Sequence, residues 1–170
     1  YNAKNQLKRI KYYDENKKPM LQSDIYGSIR YKYDDRGYIR KVVYEGKKKK
    51  PVMLSEGYSK IEYKNDKKGR VIEQYYLDQK GRPASLADGY QGQLLKYNDD
   101  GAKSSMTYID HKGSPVTISR GYCEERYQYD GGLLTEVTYF DAQGEIATCT
   151  DGYAGYQDTY ENDRRVKRVY

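Results

Sequence analysis

A spacing of 32 residues runs through the whole chain and limits its fold more than any other feature does. All four prolines follow this spacing, at Pro19, Pro51, Pro83 and Pro115. A tyrosine recurs at Tyr26, Tyr58, Tyr90 and Tyr122 and, one residue early, at Tyr153, and in every case except Tyr26 it directly follows a glycine. A fixed period of this length is typical of tandem supersecondary units that stack on one another. The sequence therefore predicts one repeat array over residues 1–170.

The repeat register also predicts the boundaries of the units. A partial repeat covers residues 1–11, and complete repeats cover about 12–43, 44–75, 76–107, 108–138 and 139–170. One residue is lost near Asp130 to Gly132, which explains the early tyrosine at position 153. The register places Tyr1 in the column of Tyr33, in the middle of a repeat. We therefore expect the chain to be a fragment of a longer array.

Within a repeat, the side chains alternate with the period of a β-strand. In residues 57–66, Ser59, Ile61 and Tyr63 share one face, and Tyr58, Lys60 and Glu62 occupy the other. Aspartate and glycine three residues apart then predict a type I turn with a G1 bulge, which recurs twice per repeat. We therefore predict an all-β chain of 32-residue β-hairpin repeats that forms an elongated single-layer sheet or an open solenoid. Its aliphatic seam would include Ile39, Val42, Leu134, Val137, Val166 and Val169.

Tyrosine takes the place of a thick aliphatic core. The chain has 23 tyrosines, one phenylalanine and no tryptophan, and its mean hydropathy is −1.12. A tyrosine ring buries apolar area while its hydroxyl stays at a wet boundary, which suits a thin sheet. Because no apolar run is long enough to span a bilayer, we expect no membrane insertion.

Two segments resemble known bacterial repeats. Residues Tyr31–Gly37 read YKYDDRG and are similar to the core of YD or RHS repeats, and residues Tyr75–Pro83 read YYLDQKGRP and resemble the hairpins of cell-wall-binding and glucan-binding repeats. The chain departs from both families, because its repeats are longer and lack tryptophan. The resemblance implies a bacterial origin, exposure at the cell surface or secretion, and a binding or shell-forming role.

The sequence offers no catalytic, cofactor-binding or metal-binding residues. The single histidine, His111, falls in a predicted turn, where a solvated residue is the simpler interpretation than a general base. The aspartates are explained as turn residues of the repeat. Cys123 and Cys149 stand in different columns, so both a disulfide between neighbouring repeats and two separate buried thiols remain open. We therefore predict that the chain is not an enzyme.

The recurring tyrosines are the first candidate for recognition. Tyr26, Tyr58, Tyr90, Tyr122 and Tyr153 recur at constant spacing, as an array would need to match a polymer of repeating sugars and to gain avidity. The same column is also typical of a structural wedge, with each ring buried against the connector between hairpins. Both interpretations stay open, and the wedge is favoured.

Charge supplies the second candidate. Residues 1–85 carry 22 Lys and Arg against 11 Asp and Glu, whereas residues 86–170 carry 9 against 14. A run of four lysines, Lys47, Lys48, Lys49 and Lys50, falls in a predicted turn and could bind a polyanion. Two alternatives remain, namely lysines that protect a sheet edge from further pairing and head-to-tail contact between chains.

The hypothesis for function is a non-catalytic repeat module that binds a carbohydrate or an anionic cell-wall polymer at the bacterial surface. The alternative is a structural spacer or a protein-interaction scaffold without a small-molecule ligand. A protein partner is compatible with either hypothesis, whereas nucleic acid is not favoured as the partner.

Overall fold

The computed structural model describes residues 1–23 and 25–170. Every regular element in these residues is a β-strand, and the same part of the chain contains no helix that could cross a membrane. The strands are β1 (Arg9–Lys11), β2 (Ser28–Tyr33), β3 (Ile39–Glu45), β4 (Lys60–Asn65), β5 (Val71–Leu77), β6 (Gly92–Tyr97), β7 (Lys103–Ile109), β8 (Glu124–Asp130), β9 (Leu133–Phe140), β10 (Gly155–Glu161) and β11 (Arg164–Val169). The prediction of an all-β chain is confirmed.

Antiparallel pairing joins strands that follow one another along the chain, so the order of strands in the sheet repeats their order in the sequence. In the hairpin of β2 and β3, Ile29 lies opposite Tyr44, and in that of β4 and β5, Ile61 lies opposite Tyr76. This order makes a single open layer of hairpins, as predicted. Contacts between residues divide the chain into an N-terminal unit, Tyr1–Ala87, and a C-terminal unit, Asp88–Tyr170.

Aspartates hold most of the tight turns. Asp78 Oδ1 accepts the backbone N–H groups of Lys80 at 2.8 Å and Arg82 at 2.9 Å, and Gly81 takes a φ of 89°. A short side-chain acceptor and a residue that tolerates positive φ are what this turn requires. The prediction of type I turns with a G1 bulge is therefore confirmed. The two N–H bonds to the aspartate recur at Asp34, Asp66, Asp110 and Asp141.

The lost residue near position 130 shortens one hairpin turn. Asp130 pairs with Leu133, and the two residues between them, Gly131 and Gly132, have φ values of 55° and 84°. Positive φ at both central positions is typical of a two-residue type I′ turn, which fits the twist of the flanking strands. Asn162 and Asp163 form a second turn with two positive φ values, 49° and 62°.

This second short turn explains why part of the predicted aliphatic seam is wrong. Val42 and Val137 are buried as predicted, but Val166 and Val169 are 53% and 48% exposed. A residue is lost at the Asn162–Asp163 turn as well, so every later column moves by one position. A slip of one residue in a strand places each side chain on the opposite face. Arg168, rather than Val169, therefore occupies the seam column in the last repeat.

The predicted connectors between hairpins are irregular, with proline at a single bridge. Pro51 bridges to Glu45, Pro83 to Leu77 and Pro115 to Ile109, each as an isolated pair. Proline has no N–H to extend such a ladder, so the pairing stops there. After these three connectors the chain reaches the recurring tyrosines, Tyr58, Tyr90 and Tyr122.

Candidate functional site

We call Tyr26, Tyr58, Tyr90, Tyr122 and Tyr153 the Gly-Tyr column, because all of them except Tyr26 follow a glycine. These tyrosines pack against tyrosines on the strands. In the N-terminal unit, the ring of Tyr26 lies 5.8 Å from that of Tyr12 and 5.1 Å from that of Tyr44. The ring of Tyr58 lies 5.9 Å from Tyr44 and 5.1 Å from Tyr76. Offset and edge-on contacts at these distances are favourable aromatic geometries. The two columns alternate, and we call this arrangement the tyrosine ladder.

The C-terminal unit continues the same pattern, with some ring pairs closer together and one ring fully buried. Tyr122 lies parallel to Tyr139, with 4.1 Å between the ring centroids, and Tyr153 lies 4.7 Å from Tyr170. Tyr122 is 0% exposed, so its ring has no face open to a ligand. The other residues of the Gly-Tyr column, at Tyr26, Tyr58, Tyr90 and Tyr153, are half-buried. This packing favours the wedge interpretation over a continuous ligand-binding stripe.

A carboxylate that sequence reasoning did not identify stabilises this part of the ladder. Glu125 accepts hydrogen bonds from the hydroxyls of Tyr108 and Tyr122 at 3.0 Å each and from that of Tyr127 at 2.8 Å. Burial, together with the negative charge of Glu125, raises the pKa of each of these three phenols above its ordinary value. The sequence contained one signal of this role, because Glu125 occupies an interior strand position where alternation predicts an apolar side chain.

Another set of tyrosine hydroxyls links successive hairpins. Tyr33 donates to the backbone oxygen of Leu7 at 2.7 Å, and Tyr129 donates to that of Lys103 at 2.9 Å. Tyr160 makes the equivalent bond to Leu134 at 2.9 Å. Each bond reaches back 26 residues to the preceding hairpin. These phenols are therefore structural, and their repetition explains part of the high tyrosine content.

The four candidate lysines occupy a turn that differs from its counterparts. In this segment, which we call the lysine turn (residues 46–50), Gly46 replaces the usual aspartate and Lys49 replaces the usual glycine, with a φ of 57°. The N–H of Lys49 donates to the carbonyl of Gly46 at 2.9 Å. Lys47, Lys48, Lys49 and Lys50 are all exposed. The turn thus keeps its backbone shape while it presents four ammonium groups to solvent.

The carboxylate nearest to the lysine turn in the sequence is already neutralised by partners within the chain. Glu45 is 2% exposed, and it pairs with Arg9 at 3.0 Å and Arg30 at 2.6 Å, while the Ser28 hydroxyl donates to it at 3.2 Å. The other acidic side chains of this unit with ion-pair partners are Asp34, Glu62, Asp66, Glu73 and Asp78. Within residues 1–23 and 25–170, no carboxylate pairs with the lysine turn. Its positive charge is therefore available to a partner.

The remaining candidates for chemistry have structural surroundings. His111 is an exposed turn residue whose Nδ1 lies 3.0 Å from Oε1 of Gln91. Cys123 and Cys149 are both buried and free, and burial raises the pKa of the Cys123 thiol. No cluster of three or more His, Cys, Asp or Glu side chains suited to a metal ion occurs in the part of the chain that the structure describes.

Neither a protein-family model nor a curated protein sequence matches the chain. The indications of function therefore come from the lysine turn and the tyrosine ladder themselves. The lysine turn offers exposed charge without an internal partner, whereas the tyrosine ladder offers rings that mostly contact one another. Of these two candidates, the lysine turn is the one whose charged groups have no ion-pair partner among the described residues.

Proposed function

We propose that the chain is a non-catalytic repeat module that binds an anionic carbohydrate or cell-wall polymer at the bacterial surface. The observation that carries this proposal is the lysine turn, where four consecutive exposed lysines have no carboxylate partner among the described residues. The tyrosine ladder supports the turn by fixing each hairpin on the next. The surface location is supported by the resemblance of residues 31–37 and 75–83 to bacterial surface repeats.

The physical basis is the release of counterions from a polyanion. Each lysine that approaches an anionic group on the polymer releases a condensed cation, so binding weakens as the salt concentration rises. Residues 1–87 carry an excess of eleven positive charges, which adds long-range attraction to the local contacts. Acidic residues 34, 45, 62, 66, 73 and 78 are paired internally, so they oppose an approaching anion less than their number indicates.

The test is binding of the purified chain to poly(glycerol phosphate), polygalacturonate and neutral dextran, at low and at physiological salt. We expect both anionic polymers to bind at low salt and dextran not to bind. Replacing all four lysines of the lysine turn by glutamine should weaken binding about tenfold or more, because each lost contact with an exposed charge contributes a few tenths of a kcal/mol or more.

A matched control separates this turn from net charge. Lys17, Lys18, Lys67 and Lys68 are exposed residues of other turns in the same unit. Replacing these four by glutamine removes the same charge, and we expect a loss of about threefold or less, through the long-range field alone. Equal losses in the two variants would show that the lysine turn is not a specific contact.

A structural spacer or protein-interaction scaffold is the second candidate. It is favoured by the full burial of Tyr122 and by the tyrosine hydroxyls that link successive hairpins. A well-folded chain that binds none of the polymers at low salt would contradict the first proposal and leave this one.

A further inference from the structure

An open pocket lies between the first complete repeat, residues 12–43, and the lysine turn that follows it, and we call it the first-repeat pocket. It has a volume of about 120 Å³, and its walls include Lys11, Tyr12, Tyr13, Met20, Lys47 and Lys49, with Ser28 also in the lining. Tyr13 and Met20 are 49% and 37% exposed, so apolar surface is open to solvent here. The walls thus combine aromatic faces with ammonium groups.

The second repeat shows why this space is open. Lys60 stands 32 residues after Ser28 and therefore occupies the same repeat position. Its Nζ donates to the backbone oxygen of Gln79 at 2.8 Å, so the side chain extends beneath the turn that corresponds to the lysine turn. The shorter Ser28 side chain instead donates to Glu45. The first-repeat pocket is thus the volume that a lysine side chain fills one repeat later.

The lining indicates the chemistry of an occupant. Within the described residues, none of the amines of Lys11, Lys47 and Lys49 forms an ion pair, so an anionic group would meet three unpaired cations. The rings of Tyr12 and Tyr13 offer flat apolar surface suited to the C–H face of a sugar or the carbon chain of a polyol. A ligand residue with both features fits better than a bare ion.

The last repeat contains a pocket at the equivalent position with different chemistry. Gly155 takes the place of Ser28, and a cavity of about 350 Å³ is lined by Ile146, Tyr156, Val169 and Tyr170, with Glu136 at its edge. None of the described residues around this cavity is a lysine or an arginine. A small residue at this repeat position thus accompanies a pocket in the first and in the last repeat, and the side chains that line each pocket set its charge.

We propose that the first-repeat pocket is the subsite that holds one anionic residue of the polymer, namely a sugar or polyol unit that carries a phosphate or a carboxylate. This inference rests on the proposed function, and it adds a specific place to the general attraction of the lysine turn. Lys47 and Lys49 line the pocket, whereas Lys48 and Lys50 do not. The four lysines therefore divide into two functionally different pairs.

The decisive experiment compares two double variants of the whole chain in binding to poly(glycerol phosphate) and polygalacturonate. Lys47→Gln with Lys49→Gln should weaken binding about tenfold, and Lys48→Gln with Lys50→Gln about twofold, although both remove two charges from one turn. Equal weakening would overturn the pocket and leave the proposed function standing. Absence of binding by the unaltered chain would overturn the proposed function itself.

The two polymers also distinguish the source of the anion. Binding that is lost in the pocket variant for poly(glycerol phosphate) alone assigns the pocket to phosphate, and loss for polygalacturonate alone assigns it to a carboxylate. Loss of binding to both polymers shows that the pocket accepts either a phosphate or a carboxylate. Each of these outcomes supports the subsite.

Two further variants test the shape of the pocket with less dependence on charge. Ser28→Lys introduces the side chain that fills the equivalent space in the second repeat and should weaken binding, with thermal melting to verify the fold. Tyr13→Ala removes an exposed wall residue and should also weaken binding. Unchanged binding in both folded variants would contradict the subsite.

Lys60→Ser supplies the opposite control. It opens the same volume in the second repeat, beside Asp78 and Gln79 instead of lysines, so binding to the anionic polymers should not increase. Tighter binding in this variant would overturn the assignment of selectivity to the lysine lining.

Discussion

The N-terminal and C-terminal units share one hairpin design and differ in what fills the interior. In the N-terminal unit, the most buried side chains include Glu45 and Ser59, which are polar. In the C-terminal unit they include Tyr122, Ile109 and Val137, and a cluster of tyrosines packs around them. The period of the repeat therefore sets the backbone, while single substitutions within a column decide how much charge and how much aromatic surface the interior of a unit contains.

The two units also differ in net charge. The N-terminal unit has an excess of positive charge and carries the lysine turn, whereas the C-terminal unit has more carboxylates than cations. A fold that depends on tight turns and on a tyrosine ladder leaves the outer positions of each turn free to vary. In the proposed account, the N-terminal unit uses this freedom to bind a polymer, while the C-terminal unit has the better-packed interior.

The largest expected effect concerns the tyrosine ladder. Tyr122→Ala should lower the free energy of unfolding by about 3–5 kcal/mol, because it deletes a fully buried aromatic ring. Tyr26→Ala, at the half-buried counterpart in the N-terminal unit, should lower it by about 1–2 kcal/mol. Denaturant unfolding measures both values. Equal losses would contradict the difference in packing between the units.

The next effect concerns the two interior carboxylates. Glu45→Gln should lower the free energy of unfolding by about 2–3 kcal/mol, because Arg9 and Arg30 would face each other without a counter-charge. Glu125→Gln should lower it by about 1 kcal/mol, since its phenol partners are neutral and an amide oxygen still accepts from them. Denaturant unfolding at two salt concentrations measures both. A larger loss for Glu125→Gln would reverse this part of the comparison.

A smaller effect of opposite sign is expected at the lysine turn. Lys49 has a φ of 57°, which costs a residue with a Cβ about 1 kcal/mol relative to glycine. Lys49→Gly should therefore raise the melting temperature, while it weakens polymer binding. Gly113→Ala, in the C-terminal unit at a φ of 87°, should lower the melting temperature. A lower melting temperature for Lys49→Gly would mean that the lysine stabilises the turn by contacts of its side chain.

The smallest expected effect is on the stability of the fold at low pH. The N–H of Arg82, with a contribution from its guanidinium, lowers the pKa of Asp78 to about 2, and the N–H of Ser114 lowers the pKa of Asp110 in the C-terminal unit. A lowered pKa contributes stability above the unfolded value of about 4 and loses it as the pH falls towards 2. Asp78→Asn and Asp110→Asn should each make the acid limb of the stability curve shallower. An unchanged acid limb in both variants would exclude these turns as its source.

Much of the fold could be predicted from residues that recur. The prolines gave the period, and aspartate with glycine gave the turns, because backbone geometry restricts which residues suit those positions. The second shortened turn was not predicted, since Asn162 and Asp163 adopt positive φ without glycine. That omission placed Val166 and Val169 on the wrong face.

The candidate site could be predicted only in part. Four consecutive lysines in a turn position were visible in the sequence, and the structure places all four in solvent. The first-repeat pocket was not visible, because it depends on whether a side chain from the adjacent strand fills the space beneath the turn, as Lys60 does and Ser28 does not. The role of Glu125 was missed because its column holds Ile29, Ile61 and Gln93 in the preceding repeats.

A residue-resolved NMR titration of the whole chain with poly(glycerol phosphate) shows directly whether the polymer binds at the lysine turn and the first-repeat pocket. We expect chemical-shift changes that are largest at residues 11–13 and 46–50 and that disappear at high salt. Changes centred on Tyr90, Tyr122 and Tyr153 would contradict this expectation, because they would assign binding to the Gly-Tyr column of the C-terminal unit. A titration without any shift change at low salt would contradict polymer binding altogether.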